Sequence, residues 1–256
     1  MARGRLWTRE ELILALSVYN QIPFGRMNDT TPEVIELANL IHRSPNTVAI
    51  RLGNFAACDP YILNSGRKGM PGGAKTCKPI WDEFYGKREA LFLTAQQIKA
   101  NLLQIPIEKT LNINVKDYTG KERQAMVKQR INQNCFRAMI LNNYEKRCAV
   151  TGINIPDLLV ASHIIPWTEK TETRLDPENG LCLSSLYDKA FDKGYITVNP
   201  DDYTLILSSA LLEYQFEAYF ENHFSSINHR KIVLPLEHAP NKDYLDYHKS
   251  MIFKGI

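Results

Sequence analysis

Apolar residues near the start of the chain recur at the spacing of an amphipathic helix. In residues 7–20, WTREELILALSVYN, one helical face carries Leu12, Ala15, Leu16 and Tyr19. Thr8 precedes this face as an N-cap residue, and acidic residues occupy the first turn. The pattern therefore predicts a helix at the start of the chain.

Two further helices are predicted with almost no connection between them. Residues 30–44, TTPEVIELANLIHRS, have Pro32 at a helix start, and residues 44–57, SPNTVAIRLGNFAA, begin with Ser44 as cap and Pro45 at the first helical position. So short a connection forces a sharp corner, as in a helix-turn-helix. A plain helical hairpin that supports another domain remains the alternative.

The middle of the chain alternates between basic and helical stretches. Residues 64–79, NSGRKGMPGGAKTCKP, predict a flexible, positively charged loop because glycine and proline are dense there. Residues 81–103 return to a helical pattern, and residues 105–120 resemble a linker or a short extended segment. Residues 121–148 predict a long, basic, amphipathic helix.

Beyond this helix the pattern changes to short strands. We predict strands at 158–165, 180–184, 195–198 and 203–208, a helix near 185–193, a second helix over 210–224, and irregular structure in the remainder. The fold class is therefore predicted as α+β, with a mostly helical N-terminal domain followed by a mixed C-terminal domain. The predicted divisions are 1–104, 105–134 for the linker and basic helix, and 135–256.

Composition places the chain among ordinary globular proteins, with 44% apolar and 23% charged residues. No apolar run approaches the roughly 20 residues that span a bilayer, so we expect no membrane partner. The N-terminus lacks the apolar stretch of a secretory signal. Five cysteines without a dense pattern favour a reducing compartment, and we expect a cytoplasmic protein.

The charge distribution is more informative than the net charge of +3. Lysine and arginine outnumber aspartate and glutamate in residues 1–134, and the acidic residues are in excess in residues 135–256. A basic half beside an acidic half favours a protein that binds a polyanion and acts on it at a metal-dependent site. Uneven surface charge without a function remains the alternative.

One histidine lies inside the apolar run LLVASHIIPW, residues 158–167. A lone histidine in such a strand is usually a core residue bonded to a backbone carbonyl, and a catalytic base needs partners elsewhere. The stretch ENGLCLSSLYDKAFDKG, residues 178–194, offers them. It opens with Asn179, and its helix places Asp188 and Asp192 on one face.

The pattern CAVTG…ASHIIPW…NGLCLSSLYDKAFDKG resembles the HNH nucleases, the ββα-metal or His-Me finger superfamily. The resemblance implies that His163 is the general base and that Asn179 holds the loop and orients this base. Asp188 stands at the position of the final histidine of the motif, and Asp192 at that of a second metal ligand on the helix. Ser162 occupies the place often filled by aspartate or histidine. The expected C-terminal domain, 135–256, is thus an HNH nuclease.

Two departures from the family pattern bear on metals. The motif is H-N-D rather than H-N-H, and Ser162 is a weak ligand beside Asp188 and Asp192. Carboxylates favour one hard divalent cation, Mg²⁺ or Mn²⁺. The paired cysteines of many relatives are replaced, since only Cys148 keeps its sulfur at these positions. We therefore expect no structural zinc.

The N-terminal stretch ALSVYNQIPFG…LANLIHRSPNTVAIRLGNFAACDP is similar to the N-terminal region of many HNH restriction-type endonucleases. A recognition helix presents its first exposed residues to base edges or phosphates, and the basic loop and helix offer phosphate contacts. The candidate DNA-binding residues are Asn46, Thr47, Arg51, Asn54, Arg67, Lys68, Lys75, Lys128 and Arg130. For the loop and the basic helix, an ordinary solvated surface remains the alternative.

Together these features predict a metal-dependent endonuclease acting on double-stranded DNA, of the restriction or phage-defence type. Neutral His163 would take a proton from water, and the hydroxide would attack a phosphodiester. The alternative is a non-catalytic DNA-binding regulator with a degenerate HNH module, motivated by Ser162 and the missing motif histidine. A colicin-like toxin is a weaker third hypothesis. Double-strand cleavage would usually need a homodimer, although no heptad pattern indicates one.

Overall fold

The computed structural model describes residues 5–111, 113 and 119–255. The chain divides into two compact units, Met1–Cys135 and Phe136–Ile256. In the described residues, helices predominate and the strands form two small antiparallel sheets of two strands each. The architecture is therefore a mixture of helices and small sheets, as the predicted class requires.

Helices are the only regular elements in the described residues of the first unit. Its helices are α1 (Arg9–Tyr19), α2 (Pro32–Leu40), α3 (Pro45–Ala56), α4 (Pro60–Asn64), α5 (Ala74–Phe84), α6 (Arg88–Leu103), α7 (Ile107–Thr110) and the first part of α8 (Gly120–Asn143). None of the helices in the described part of the chain has the length and apolar character needed to cross a bilayer.

The first helix begins where its cap residue was predicted. The Thr8 hydroxyl accepts a hydrogen bond from the Glu11 backbone at 3.2 Å, and the Glu11 carboxylate accepts one from the Thr8 backbone at 3.0 Å. The four apolar residues predicted on one face of α1 are all buried. Local sequence signals are therefore sufficient to define α1.

Helices α2 and α3 pack against each other across a sharp corner at residues 41–44. Ser44 caps α3, since its hydroxyl accepts a hydrogen bond from the Thr47 backbone at 3.2 Å. Val48 and Leu52 of α3 are fully buried, whereas the side chain of Ile50 is 43% exposed. The apolar residues of α3 thus divide between a packed face and solvent.

The predicted loop over 64–79 is wrong in its second half, because residues 74–79 belong to α5. Cys77, Ile80 and Phe84 are buried along one face of that helix. Their packing outweighs the local preference of glycine and proline for loops. Lys75 consequently stands on a helix rather than in a flexible loop.

The helix predicted over 81–103 is interrupted, and the predicted linker is partly helical. Helix α5 ends at Phe84 and α6 starts at Arg88, and Gly86 between them adopts a φ of +70°. Such a left-handed backbone ends a helix, and glycine adopts it without steric cost. In the linker over 105–120, residues 107–110 form α7, while residues 112 and 114–118 lie outside the described residues.

The second unit carries the strands. Its elements after α8 are β1 (Leu159–His163), β2 (Gly180–Ser184), α9 (Ser185–Asp192), β3 (Ile196–Val198), β4 (Leu205–Leu207), α10 (Ser209–Leu212), α11 (Ala218–His223) and α12 (Lys242–Met251). Strand β1 pairs with β2, and β3 pairs with β4. All four predicted strands and the helix near 185–193 are confirmed, and no end is shifted by more than two residues.

Two predictions for the end of the chain are wrong. The single helix expected over 210–224 is divided into α10 and α11. The region expected to be irregular contains α12, which Asn241 caps by accepting a hydrogen bond from the Asp243 backbone at 2.9 Å. Leu245 and His248 are buried on one face of α12, so tertiary packing stabilises a helix of mostly polar sequence.

Candidate active site

Strands β1 and β2 bring His163 and Asn179 close to each other. In the antiparallel register, His163 is opposite Gly180 and Ser162 is opposite Leu181. Asn179 directly precedes β2, and β2 leads without a loop into α9. The last residue of β1 and the first residues of the β2–α9 segment are therefore neighbours, in a ββα arrangement.

The imidazole of His163 is packed between two aromatic rings. The Phe136 ring stacks on its face with centroids 3.7 Å apart and an interplanar angle of 13°. The Trp167 ring meets it edge-on, with centroids 5.4 Å apart and an interplanar angle of 84°. These contacts fix the orientation of the half-buried imidazole before any substrate binds.

Hydrogen bonding of His163 determines which ring nitrogen is available. Nε2 lies 3.0 Å from the carbonyl oxygen of Arg174, and since a carbonyl only accepts, Nε2 carries the proton. Nδ1 of the neutral ring therefore keeps its lone pair. Burial lowers the pKa of His163, and the positive guanidinium of Arg174 lowers it further, while the bond to the carbonyl opposes this shift. The imidazole is thus neutral at neutral pH and can accept a proton.

Asn179 closes the loop that carries Arg174. Its side chain is fully buried, and its Oδ1 accepts a hydrogen bond from the Ile165 backbone at 2.8 Å. Its Nδ2 donates to the carbonyls of Ile165 and Thr173, each at 3.2 Å. Because Thr173 adjoins Arg174, the amide holds the carbonyl that positions His163. The orienting role of Asn179 stays a prediction, and this geometry supports it.

Ser162, Asp188 and Asp192 form a second group of polar side chains. Burial raises the pKa of Asp188, while the Ser162 hydroxyl and the Lys189 charge act in the opposite direction. The Ser162 oxygen is buried and makes no hydrogen bond of regular geometry within the described residues. The pKa of Asp192, an exposed residue, is also raised, by the atoms packed around its carboxyl and then by the negative charge of Asp188.

This group fits a small hard cation. The charge of Asp188 raises the pKa of Asp192, and a bound positive ion would relieve this repulsion; the Ser162 oxygen lies beside Asp188. Across the described ranges, no three histidine, cysteine, aspartate or glutamate side chains come together as a metal site. Water would have to complete the coordination. Since neighbouring strand residues point to opposite faces, His163 aims away from Ser162 and stands outside this group.

Cys148 lies where relatives carry a zinc ligand, and its sulfur is used differently here. The sulfur accepts hydrogen bonds from the backbone of Thr151 at 3.4 Å and of Ser184 at 3.2 Å. The Tyr187 hydroxyl donates to the His223 carbonyl at 2.6 Å. These side chains make hydrogen bonds within the fold, and the expected lack of structural zinc stays a prediction.

Most of the predicted DNA-binding residues lie at the surface of the first unit. Exposed or half-exposed side chains are Asn46, Thr47, Arg67, Lys68, Lys75, Lys128 and Arg130. Lys128 forms an ion pair with Glu89 at 2.9 Å, so it is a weaker candidate for a contact with a DNA phosphate. The remaining six present polar or charged side chains at the surface of this unit, where a polyanion could reach them.

Two of the residues predicted on the recognition helix have structural roles. The Asn54 side chain is 4% exposed, and its amide donates to the Met70 carbonyl at 2.7 Å, so the prediction that it faces DNA is wrong. The Arg51 guanidinium lies 4.7 Å from the centre of the Trp7 ring and 3.4 Å from the Gly73 carbonyl. The Arg51 guanidinium therefore already interacts with other residues of the first unit.

Several residues that surround His163 were not assigned to this site from the sequence. Phe136 and Trp167 pack on His163, and Arg174 provides its hydrogen-bond acceptor. Arg137 donates to the carbonyls of Leu159 at 2.6 Å and Pro156 at 2.8 Å, which fixes the start of β1. Arg174 lies between the motif residues His163 and Asn179, and this position was the one sequence signal for its role. The sequence of α8 gave no signal that Phe136 packs on His163.

Comparison with known proteins bears on the C-terminal half of the chain. No curated protein matches the sequence. Residues 148–199 match a family model described as HNH endonuclease. The matched segment contains β1, β2, α9, and with them His163 and the two carboxylates of α9. The resemblance found from the sequence is confirmed over residues 148–199, which match this model of the HNH endonuclease family.

Proposed function

We propose that this chain is a metal-dependent DNA endonuclease that hydrolyses phosphodiester bonds. The observation that carries the proposal is the fixed orientation and the tautomer of the His163 imidazole. Its imidazole is held between two rings, its Nε2 donates to the Arg174 carbonyl, and its Nδ1 keeps a free lone pair. A fixed, neutral imidazole at the end of β1 has the properties of a general base.

In the proposed reaction a water molecule attacks the phosphorus atom of the scissile phosphate. Nδ1 of His163 takes a proton from this water as the new oxygen–phosphorus bond forms. The bond between phosphorus and the 3′ oxygen breaks, and the leaving oxygen takes a proton from solvent. Asn179 keeps the Arg174 carbonyl in place, so that the imidazole holds one tautomer and one orientation throughout.

HNH nucleases generally use a divalent metal, and the residues present fit one. Asp188, Asp192 and Ser162 would hold Mg²⁺ or Mn²⁺, both of which favour oxygen ligands. When bound, the ion would stabilise negative charge on the phosphate and the leaving oxygen. Because Ser162 and His163 point to opposite faces of β1, the scissile phosphate would lie across the end of that strand.

The substrate of the proposed activity is double-stranded DNA, which the first unit would bind. Arg67, Lys68 and Lys75 supply positive charge on its surface. Replacing all three by alanine should weaken DNA binding in EDTA and flatten its dependence on salt. Lys99→Ala is the matched control, because Lys99 is paired with Glu36 at 2.6 Å. Equal losses in both variants would argue against this surface.

The central experiment is cleavage of plasmid DNA in the presence of Mg²⁺ or Mn²⁺. We expect nicks or breaks with the wild-type chain and none with His163→Ala. His223→Ala is the matched control, since His223 is an exposed histidine of the same unit. An active His163→Ala variant would refute the role of the base.

Metal binding is tested apart from cleavage by calorimetric titration with Mn²⁺. Asp188→Asn should abolish the heat of binding, because it removes a carboxylate from the only acidic pair that we assign to the metal. Asp246→Asn, on exposed α12 surface in the same unit, should leave it unchanged. Binding that persists in Asp188→Asn would place the metal elsewhere.

A degenerate HNH module in a DNA-binding regulator remains the second candidate. It is favoured by the lack of a three-residue ligand cluster in the described part of the chain. That function predicts DNA binding without cleavage and without affinity for Mn²⁺. A role in restriction or phage defence would be tested by sequencing the ends of cleaved methylated and unmethylated DNA pools, since a restriction enzyme discriminates between them.

A further inference from the structure

Arg174 lies in the loop between β1 and β2, and its side chain is fixed at two points. Its Nε donates a hydrogen bond to the Trp167 carbonyl at 2.8 Å. Its guanidinium carbon stands 5.1 Å from the centre of the Trp167 ring. The same ring meets His163 edge-on, with centroids 5.4 Å apart. One tryptophan therefore holds the guanidinium and the imidazole beside each other.

The outer edge of the Arg174 guanidinium, formed by its two Nη nitrogens, makes no hydrogen bond to other described residues. A guanidinium has five N–H donors, and Nε uses one of them on the Trp167 carbonyl. Neither Nη nitrogen has a hydrogen-bond or ion-pair partner within the ranges that the structure describes. The side chain is half-buried, so solvent reaches this edge. Two parallel unused donors match the spacing of two phosphate oxygens.

We propose that Arg174 is a catalytic residue that binds the non-bridging oxygens of the scissile phosphate. The inference rests on the proposed function, since it assigns a second contact to the same reaction. Attack by water adds negative charge to the phosphate oxygens, and donors already fixed in place stabilise that charge without reorganisation. Arg174 gives up no proton in this step, because His163 takes the proton of the attacking water.

The first test compares Arg174→Gln with Lys170→Gln in steady-state cleavage of DNA. Lys170 is the matched control, an exposed cation of the same loop whose ammonium stands 5.5 Å from the Tyr247 ring. We expect Arg174→Gln to lower kcat about 100-fold to 1,000-fold with a smaller change in KM, as for loss of an oxyanion donor. Arg174→Lys should recover part of the loss. Equal effects of the two glutamine variants, or full activity of Arg174→Gln, would overturn the proposal.

The second test needs no activity. Dimethyl phosphate, an inert phosphodiester, is titrated into the ¹⁵N-labelled wild-type chain while the arginine side-chain NMR signals are followed. The Arg174 signals should shift with dimethyl phosphate and stay in place with sodium chloride of equal ionic strength. Unmoved Arg174 signals would contradict the inference even if both arginine variants failed to fold.

The two tests also separate this inference from the proposed function. A wild-type chain that cleaves no DNA, yet shows the Arg174 shift, would retain a phosphodiester site and lose the nuclease function. A chain that cleaves DNA with full activity in Arg174→Gln would retain the nuclease function and lose this role of Arg174.

Discussion

The rings of His163 and Phe136 lie face to face, 3.7 Å between centroids and 13° from parallel. Phe136 belongs to α8 and is 1% exposed, so its position is fixed by the core of the second unit. The orientation of the candidate base therefore depends on a residue outside the matched segment 148–199. This dependence can be tested by changing the shape of the apolar side chain while keeping it apolar.

Phe136→Leu should impair cleavage more than it impairs folding. Leucine fills most of the space but offers no flat surface, so the imidazole gains freedom and the cleavage rate should fall about tenfold, with about 1–2 kcal/mol lost in unfolding free energy. Phe224→Leu is the control, because Phe224 is buried in the same unit against Tyr187. Single-turnover rates and denaturant unfolding measure both effects. A similar loss of activity in the two variants would contradict the prediction.

Gly180 is opposite His163 in the sheet, and a side chain there would have no space. A Cβ atom at this position would lie 2.2 Å from Cδ1 of Ile140 and 2.9 Å from Cζ of Phe136. We expect Gly180→Ala to cost about 1–3 kcal/mol in unfolding free energy through overpacking. In the double variant Gly180→Ala/Ile140→Ala, the added methyl would occupy part of the vacated volume. Denaturant unfolding should then give a loss smaller than the sum of the two single losses; strictly additive losses would contradict the clash.

The sequence predicted those parts of the structure that depend on local signals. Ser44 and Thr8 cap helices because their hydroxyls reach backbone donors within three residues. The strand–strand–helix order around His163 followed from short apolar runs separated by turn residues. The resemblance to HNH nucleases then gave the candidate site residues, because the whole motif lies within residues 148–194.

The remaining features depend on contacts between distant residues. Asn54 was assigned to DNA because helical periodicity does not tell which polar residue faces a partner element, here the Met70 carbonyl. Helix α12 was missed because only Leu245 and His248 are buried on it. Phe136 was missed since a stacking contact with His163 leaves no pattern in either segment.

Helix α12 supports the loop that carries Arg174. The Tyr244 hydroxyl donates to Asp176 at 3.0 Å, and the Asn241 backbone donates to the Glu178 carbonyl at 3.0 Å. Burial raises the pKa of Tyr244 to about 12, and the nearby Asp176 charge adds to this, so the hydroxyl keeps its proton throughout the neutral range. The contact is therefore a permanent one under ordinary conditions.

Tyr244→Phe should loosen this loop without unfolding the unit. The variant loses one hydrogen bond to a charged group, worth about 1.5–3 kcal/mol. Amide hydrogen exchange should accelerate in residues 164–179 and stay unchanged in β3 and β4. Tyr247→Phe on the same helix is the control, because the structure gives its hydroxyl no hydrogen bond within the described residues. Unchanged exchange in the loop of Tyr244→Phe would refute the support by α12.

His248 resembles His163 in its packing but differs at one nitrogen. It stacks on Phe191 with centroids 3.6 Å apart, and its Nε2 donates to the Phe191 carbonyl at 3.1 Å. Its Nδ1 lies 2.9 Å from the Thr197 hydroxyl, which therefore donates to it. Both nitrogens of His248 are thus occupied within the fold, whereas Nδ1 of His163 has no hydrogen-bond partner among the described residues. The second unit contains one structural histidine and one candidate base in nearly the same aromatic setting.

This arrangement predicts how stability changes with pH. Burial lowers the pKa of His248 from 6.5 to about 4, although the Phe191 carbonyl opposes the shift. Between pH 6.5 and about pH 4, His248 binds a proton in the unfolded chain but not in the folded chain. The contribution of His248 to the unfolding free energy should therefore decrease through this interval by about 3 kcal/mol, at about 1.4 kcal/mol per pH unit, and should be constant at higher pH. His248→Gln should be less stable at neutral pH and should lose less stability on acidification. Denaturant unfolding of both proteins across this interval measures the difference, and parallel curves would show that His248 does not titrate on unfolding.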